Sequence, residues 1–121
     1  DENIFNKSDV PFLTNAGRLP VFLAMTCSSG NFAIPGFPSL SEALVLWKNG
    51  GAYAAWAPSG LSLNEGAVVL NEAFFAGAFV DGERVVGRNC TKALEELDPT
   101  GPMGYMKSIY NIIGEPLSRL P

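Results

Sequence analysis

Val21-Phe22-Leu23-Ala24-Met25-Thr26-Cys27-Ser28-Ser29-Gly30 runs from an unbroken apolar stretch, opened by Pro20, into a cluster of small polar residues. An apolar run of this length with no residue reserved for solvent predicts a strand buried on both faces, as in a parallel sheet covered by helices. Working outward, Asn31 to Pro38 contains Pro35, Gly36 and Pro38 and reads as a loop. Ser39-Leu40-Ser41-Glu42 then fits a capping box, in which a serine hydroxyl and a glutamate three residues on satisfy each other's backbone amides. Leu40, Ala43, Leu44 and Trp47 follow at helical spacing, and Gly50-Gly51 supplies the left-handed stop. Ala52-Tyr53-Ala54-Ala55-Trp56-Ala57 is a second apolar run, closed by Pro58-Ser59-Gly60. Strand, helix and strand with short connections make a βαβ unit, whose crossover is right-handed in nearly all proteins.

The rest of the chain predicts helices. A second Ser-x-x-Glu box, Ser62-Leu63-Asn64-Glu65, opens a helix through Leu70 and Phe74 to about Phe79, and Asp81-Gly82 turns the chain. Val86, Cys90, Ala93, Leu94 and Leu97 repeat at helical spacing up to Asp98-Pro99. Gly101-Pro102 starts a last helix carrying Met106, Ile109, Tyr110 and Ile113 on one side, stopped by Gly114 and Pro116. Near the beginning, Ser8-Asp9-Val10 caps a short helical turn towards Leu13 and Asn15, broken by Gly17 and Pro20. The expected class is α/β, with two core strands and four to five helices. Two parallel strands are too few to stand alone, so a partner chain or residues before Asp1 are expected to complete the sheet.

The chain has 121 residues, one domain by length, with 47% hydrophobic and 17% charged residues. Globular proteins average about 25% charged, and the shortfall suggests surface meant to be covered by more chain. A net charge of -4 with scattered basic residues argues against nucleic acid or an anionic membrane as partner. No apolar stretch approaches the ~18 residues of a membrane span. Asp1-Glu2-Asn3-Ile4-Phe5 lacks the basic and apolar regions of a signal peptide, as a mature or excised fragment also would. Asn6-Lys7-Ser8 and Asn89-Cys90-Thr91 match the glycosylation sequon, although the helical setting of Asn89 argues against use.

The chain contains 2 cysteines and no histidine. That excludes a disulfide framework and any His-based catalytic or metal scheme within these residues, and no metal or cofactor is expected. Cys90, on the apolar stripe of a helix, reads as a core residue. Cys27 is different. It ends the first strand at its carboxyl side, where open α/β sheets place their ligand crevice. Ser28-Ser29-Gly30 forms a small turn that lets backbone amides approach a substrate carbonyl. Position alone leaves Cys27 open between an inert core thiol and a nucleophile.

Thr26-Cys27-Ser28-Ser29-Gly30-Asn31-Phe32 resembles the nucleophile segment of the gingipain family of cysteine peptidases. Ser39-Leu40-Ser41-Glu42-Ala43-Leu44 is similar to that family's following helix, and Asn49 to Ser59 to its next strand and loop. Tyr110-Asn111-Ile112-Ile113-Gly114-Glu115-Pro116-Leu117 resembles its closing Gly-Asp-Pro motif, with Glu115 in place of the aspartate. The four segments occur in order along the chain. The resemblance implies a caspase-like parallel sheet flanked by helices and a Cys/His dyad. Its histidine would lie in a Gly-His-Gly motif upstream of Asp1, making residues 1–121 the C-terminal half of the peptidase domain, inactive alone.

Cys27 is then the expected nucleophile, with peptide or protein as substrate. Ser28, Gly30, Trp56 and Ser59 are the expected substrate-binding residues, with Leu61-Ser62 nearby. Each has a plainer reading: Trp56 as core, Ser62 as helix cap, Ser28 and Ser29 as turn formers. A non-catalytic caspase-like binding or assembly module, or another caspase-like peptidase family, would share the arrangement. The family implies a secreted or cell-surface bacterial protein.

Overall fold

The computed structural model describes residues 4–121. Its centre is a three-stranded sheet of order β1-β2-β3, made of β1 (Val21–Leu23), β2 (Ala54–Pro58) and β3 (Tyr110–Gly114). Strands β1 and β2 are parallel, with Val21 opposite Ala54 and Leu23 opposite Trp56. They are joined through helix α1 (Leu40–Leu46), as expected of a βαβ unit. Helices α2 (Asn64–Phe79), α3 (Val86–Glu95) and the single turn α4 (Met106–Ile109) complete the α/β arrangement.

Alternation along the strands divides the core into two layers. Phe22 points to one face, where Val10, Leu44 and Ala52 are buried among Leu13, Leu40, Ala43 and Trp47. Val21, Leu23 and Met25 point to the other, against a larger cluster built on Trp56, Leu70, Phe74, Val86, Cys90, Leu97, Met106 and Tyr110. Central β2 is buried at every position, while β1 is half-buried throughout. The expectation of a first strand buried on both faces therefore fails for β1, because β1 forms an edge of this sheet.

The predicted last helix is also corrected. It winds only from Met106 to Ile109, and the chain then extends as β3, antiparallel to β2, with Ile112 opposite Trp56 and Tyr110 opposite Pro58. Tyr110 and Ile113 thus sit on a strand. β-Branched Ile112 and Ile113 suit a pleated surface, and pairing with fully buried β2 outweighs the helical spacing. The sheet is consequently three-stranded and mixed within these residues.

Several local signals operate as expected. The Ser39 hydroxyl accepts from the Glu42 amide at 3.2 Å, and the Glu42 carboxylate accepts from the Ser39 amide at 2.7 Å. Gly51 has φ of +92°, and a Cβ there would collide with the Leu44 carbonyl oxygen, so only glycine fits that turn; it does not stop α1, which ends at Leu46 with Trp47 already extended. Trp47 lies just past α1, and its indole N–H donates to the Leu13 carbonyl at 3.0 Å. The early turn is the 3₁₀ segment Val10–Phe12; the Asp9 carboxylate does not cap it but accepts from the Asn6 amide at 2.7 Å.

The closing Gly114-Glu115-Pro116 segment is structural. Gly114 has φ of +107°, and its Cβ would collide with the Tyr53 carbonyl oxygen at 2.5 Å. The Glu115 carboxylate accepts from the Leu117 amide at 2.9 Å, fixing the turn. Beyond it, the carbonyls of Pro116 and Ser118 accept from the Gly87 and Val86 amides at 2.8 and 3.0 Å. These carbonyls supply the partners that the first amides of α3 cannot find within the helix. Asn89 is fully buried, its amide donating to the Phe74 carbonyl at 2.8 Å, which removes it as a glycan acceptor.

Candidate active site

Met25 to Gly30 leaves the carboxyl end of β1 and crosses towards the carboxyl end of β2. The Ser28 amide donates to the Gly60 carbonyl at 2.8 Å, and the Gly30 amide to the Pro58 carbonyl at 3.0 Å. Gly30 lies directly on β2: a Cβ there would meet the Ala57 Cβ at 2.9 Å and its carbonyl oxygen at 3.0 Å. Ser28 takes the left-handed conformation, φ 56°, that the tight reversal demands. The turn is thus pinned onto the sheet by its own amides.

The Ser28 and Gly30 amides are thus already paired within the chain. The amides of Cys27 and Ser29 have no acceptor among the described residues.

Cys27 is exposed, at the mouth of this turn. Its sulfur meets the main chain of Ser62, with the Ser62 amide donating to Sγ at 3.4 Å and the thiol facing the Ser62 carbonyl oxygen at 3.5 Å. Ser62 belongs to the segment between β2 and α2, so the carboxyl ends of two parallel strands converge on the thiol. Cys90 is the opposite case. It is buried in α3, and desolvation pushes its thiol up to about 12, which leaves it protonated and unreactive at neutral pH.

The other predicted site residues separate. Trp56 is 1% exposed, packed at 5.8 Å from Phe74 and 5.4 Å from Tyr110, so it belongs to the core and walls no open pocket. Ser59 is half-buried, and its amide and hydroxyl both donate to the Ile109 carbonyl, at 2.8 and 3.2 Å. It ties the end of β2 to α4. Ser62 does not cap α2: helix α2 begins at Asn64 without a side-chain cap. The Ser62 hydroxyl instead shares a hydrogen bond of 2.8 Å with the Tyr110 hydroxyl.

Tyr110 is the site residue that sequence reasoning missed. Helical spacing had assigned it to a packing stripe, and only the β-branched pair that follows hinted at a strand. Its phenol is held above its ordinary range, chiefly by burial; the Ser62 bond lowers it and the nearby Cys27 raises it.

Beside the Cys27 turn, a groove of about 440 Å³ is lined by Phe5, Ser28, Ser29, Ile34 and Phe37. Among the described residues no cluster of metal-ligating side chains occurs. Among these described residues no helix is long and apolar enough to cross a membrane.

A model of peptidase family C25 matches residues 1–121. No curated protein matches the chain. Among solved structures, the chain is similar to the crystal structure of the Arg-specific cysteine proteinase gingipain R (RGPB), with 21% identity and a TM-score of 0.79. That likeness covers 96% of this chain and 29% of the other. It is also similar to a complex of Porphyromonas gingivalis RgpB pro- and mature domains, with 21% identity and a TM-score of 0.73 over 94% of this chain and 30% of that one. The chain thus spans under a third of the length of either structure. At this identity the likeness establishes the fold, a partial domain of the gingipain caspase-like type.

Proposed function

The chain belongs to peptidase family C25, and we propose that it supplies the nucleophile-bearing, C-terminal part of a cysteine peptidase's catalytic domain. The observation that carries this reading is the exposed Cys27 thiol, held between main-chain groups at the carboxyl ends of β1 and β2. The Cys27 thiolate attacks the scissile carbonyl carbon, forming a C–S bond while the carbonyl oxygen takes up negative charge. The Cys27 amide, unpaired among the described residues, is the donor this chain offers to that oxyanion. An imidazole from outside residues 1–121 removes the thiol proton and returns it to the amine as the C–N bond breaks. Water then hydrolyses the thioester and frees the thiolate.

The same reading has upstream chain completing the sheet at the β1 edge. Beside that edge lies a groove of about 290 Å³ lined by Val21, Leu23, Tyr53, Phe75 and Phe79. Phe79 is 73% exposed, and the buried Tyr53 hydroxyl has no partner among the described residues. Burial holds the Tyr53 phenol above its ordinary range. Apolar surface and an unpaired hydroxyl of this kind support cover from further chain. A secreted or cell-surface location is carried by the family resemblance alone.

Cys27→Ala in the full-length protein is expected to abolish peptide cleavage while leaving the thermal unfolding midpoint in place. Retained cleavage overturns the assignment. A non-catalytic assembly module would instead leave wild-type Cys27 unlabelled by an acyloxymethyl-ketone probe.

A further inference from the structure

The segment that brings Ser62 to Cys27 belongs to no helix or strand, and its position rests on bonds sent from elsewhere. Its beginning is held by Ser59 on the Ile109 carbonyl and by the Gly60 carbonyl accepting the Ser28 amide. Its middle is held by the exposed Tyr105, whose hydroxyl donates to the Leu61 carbonyl at 3.0 Å. At Ser62 itself, the restraint on the side chain is the 2.8 Å bond to Tyr110. Tyr110 is well suited to act as an anchor. It is 4% exposed, it lies on β3, and its ring meets Trp56 edge-on at 5.4 Å. The hydroxyl also reaches the Met25 sulfur at 3.8 Å, two residues before Cys27. A rigid aromatic thus links the core to both segments that meet at the thiol.

We propose that Tyr110, acting through Ser62, is a positioning residue for Cys27: their hydrogen bond fixes the Ser62 amide against the sulfur. This rests on the peptidase reading. With the thiol deprotonated, the Ser62 amide donates to the thiolate and holds it towards the substrate. With the thiol protonated, the Ser62 carbonyl accepts the S–H, so one residue serves both states. Tyr110 does not touch the reacting atoms and exchanges no proton with them. The titratable groups set against this cluster are Tyr110 from β3 and Tyr105 from the segment before α4. Burial raises the Tyr110 phenol, so it remains a neutral partner for Ser62 at the pH of catalysis.

The test uses the full-length protein, with iodoacetamide as probe of Cys27 and peptide-mapping mass spectrometry as readout across pH. Tyr110→Phe keeps the ring in the core, and Ser62→Ala removes the other half of the bond. Each is expected to slow Cys27 alkylation at neutral pH by about fivefold to tenfold, the scale of one neutral hydrogen bond. Each should also lower kcat with little change in KM. The double variant should be no slower than either single one, because both remove the same bond. Ser62→Thr, which keeps the hydroxyl, should restore the wild-type profile. A Tyr110→Phe or Ser62→Ala profile that superimposes on wild type overturns the proposal, as does full additivity in the double variant. If Cys27→Ala retains cleavage, the peptidase reading fails, while the alkylation profiles still decide whether Tyr110 positions the thiol.

Discussion

Ser39-Leu40-Ser41-Glu42 and Ser62-Leu63-Asn64-Glu65 carry the same local signal, a serine followed three residues later by glutamate at the mouth of a helix. At the first, both reciprocal bonds form and α1 begins directly after Ser39. At the second, α2 starts one residue later with no side-chain cap, and the serine hydroxyl is bound to Tyr110. The difference lies in what surrounds each serine. Ser39 has only its own helix to satisfy, whereas Ser62 lies within reach of a buried phenol whose hydroxyl needs a partner. The helix amides left uncapped at α2 stay near solvent, where water serves them, but a buried phenol has no such recourse. The box that yields its cap is the one against the Cys27 sulfur.

Tyr110→Ala should produce the largest contrast. It removes a ring packed on Trp56 and the partner of Ser62 together, and about 3–5 kcal/mol of stability should be lost, measured by urea unfolding of the full-length protein. Helix α1 makes no use of Tyr110, so hydrogen exchange at the Ser39 box should hardly change under native conditions. A loss below about 1 kcal/mol would mean that Tyr110 is not the anchor of the second box.

How far the sequence could be read follows from the range of the forces involved. The Ser39 box and the stripe of α3 are local patterns, and each produced the element that it predicts, while the run Val21 to Met25 produced a strand that is only half-buried at a sheet edge. β3 was lost because Met106, Ile109, Tyr110 and Ile113 satisfy a helical period over a stretch that pairs with β2. Cys27 stood out as a candidate through its place after a strand and the family resemblance. The Ser62–Tyr110 bond joins residues 48 positions apart and leaves no trace in local spacing. Trp56 was misplaced as a pocket wall because an aromatic near a strand end looks the same from sequence whichever face it occupies.

A second, smaller effect should appear in alkali. The Tyr110 phenol is raised in the folded state, by burial first, so the folded protein holds that proton more tightly than the unfolded chain. Its contribution is complete below the unfolded tyrosine value, about pH 10, and is lost as pH rises through the higher folded value. Tyr53 and Cys90 are raised as well, with the same sign, but they are common to wild type and Tyr110→Phe and cancel in the difference. The stability advantage of wild type over Tyr110→Phe should therefore hold up to about pH 10 and shrink above it. An advantage that grows above pH 10 would contradict the buried, neutral phenol on which the second box depends.

The smallest effects separate the two boxes most cleanly. Ser39→Ala deletes a working cap and should cost about 1 kcal/mol. Glu42→Gln should cost less, because an amide oxygen still accepts from the Ser39 amide and hydroxyl that the carboxylate now holds at 2.7 and 2.9 Å. Glu65, at the matching place in the second box, makes no hydrogen bond to Ser62 or Leu63, so Glu65→Gln removes only a favourable charge at a helix start, worth a few tenths of a kcal/mol. Paired urea titrations of Ser39→Ala and Glu65→Gln decide the matter. Equal losses of about 1 kcal/mol would mean that Glu65 takes part in a cap in solution, and that Ser62 is shared between helix α2 and Tyr110. A clear loss at Ser39 beside almost none at Glu65 leaves Ser62 committed to the core, so that its main chain stays against the Cys27 sulfur.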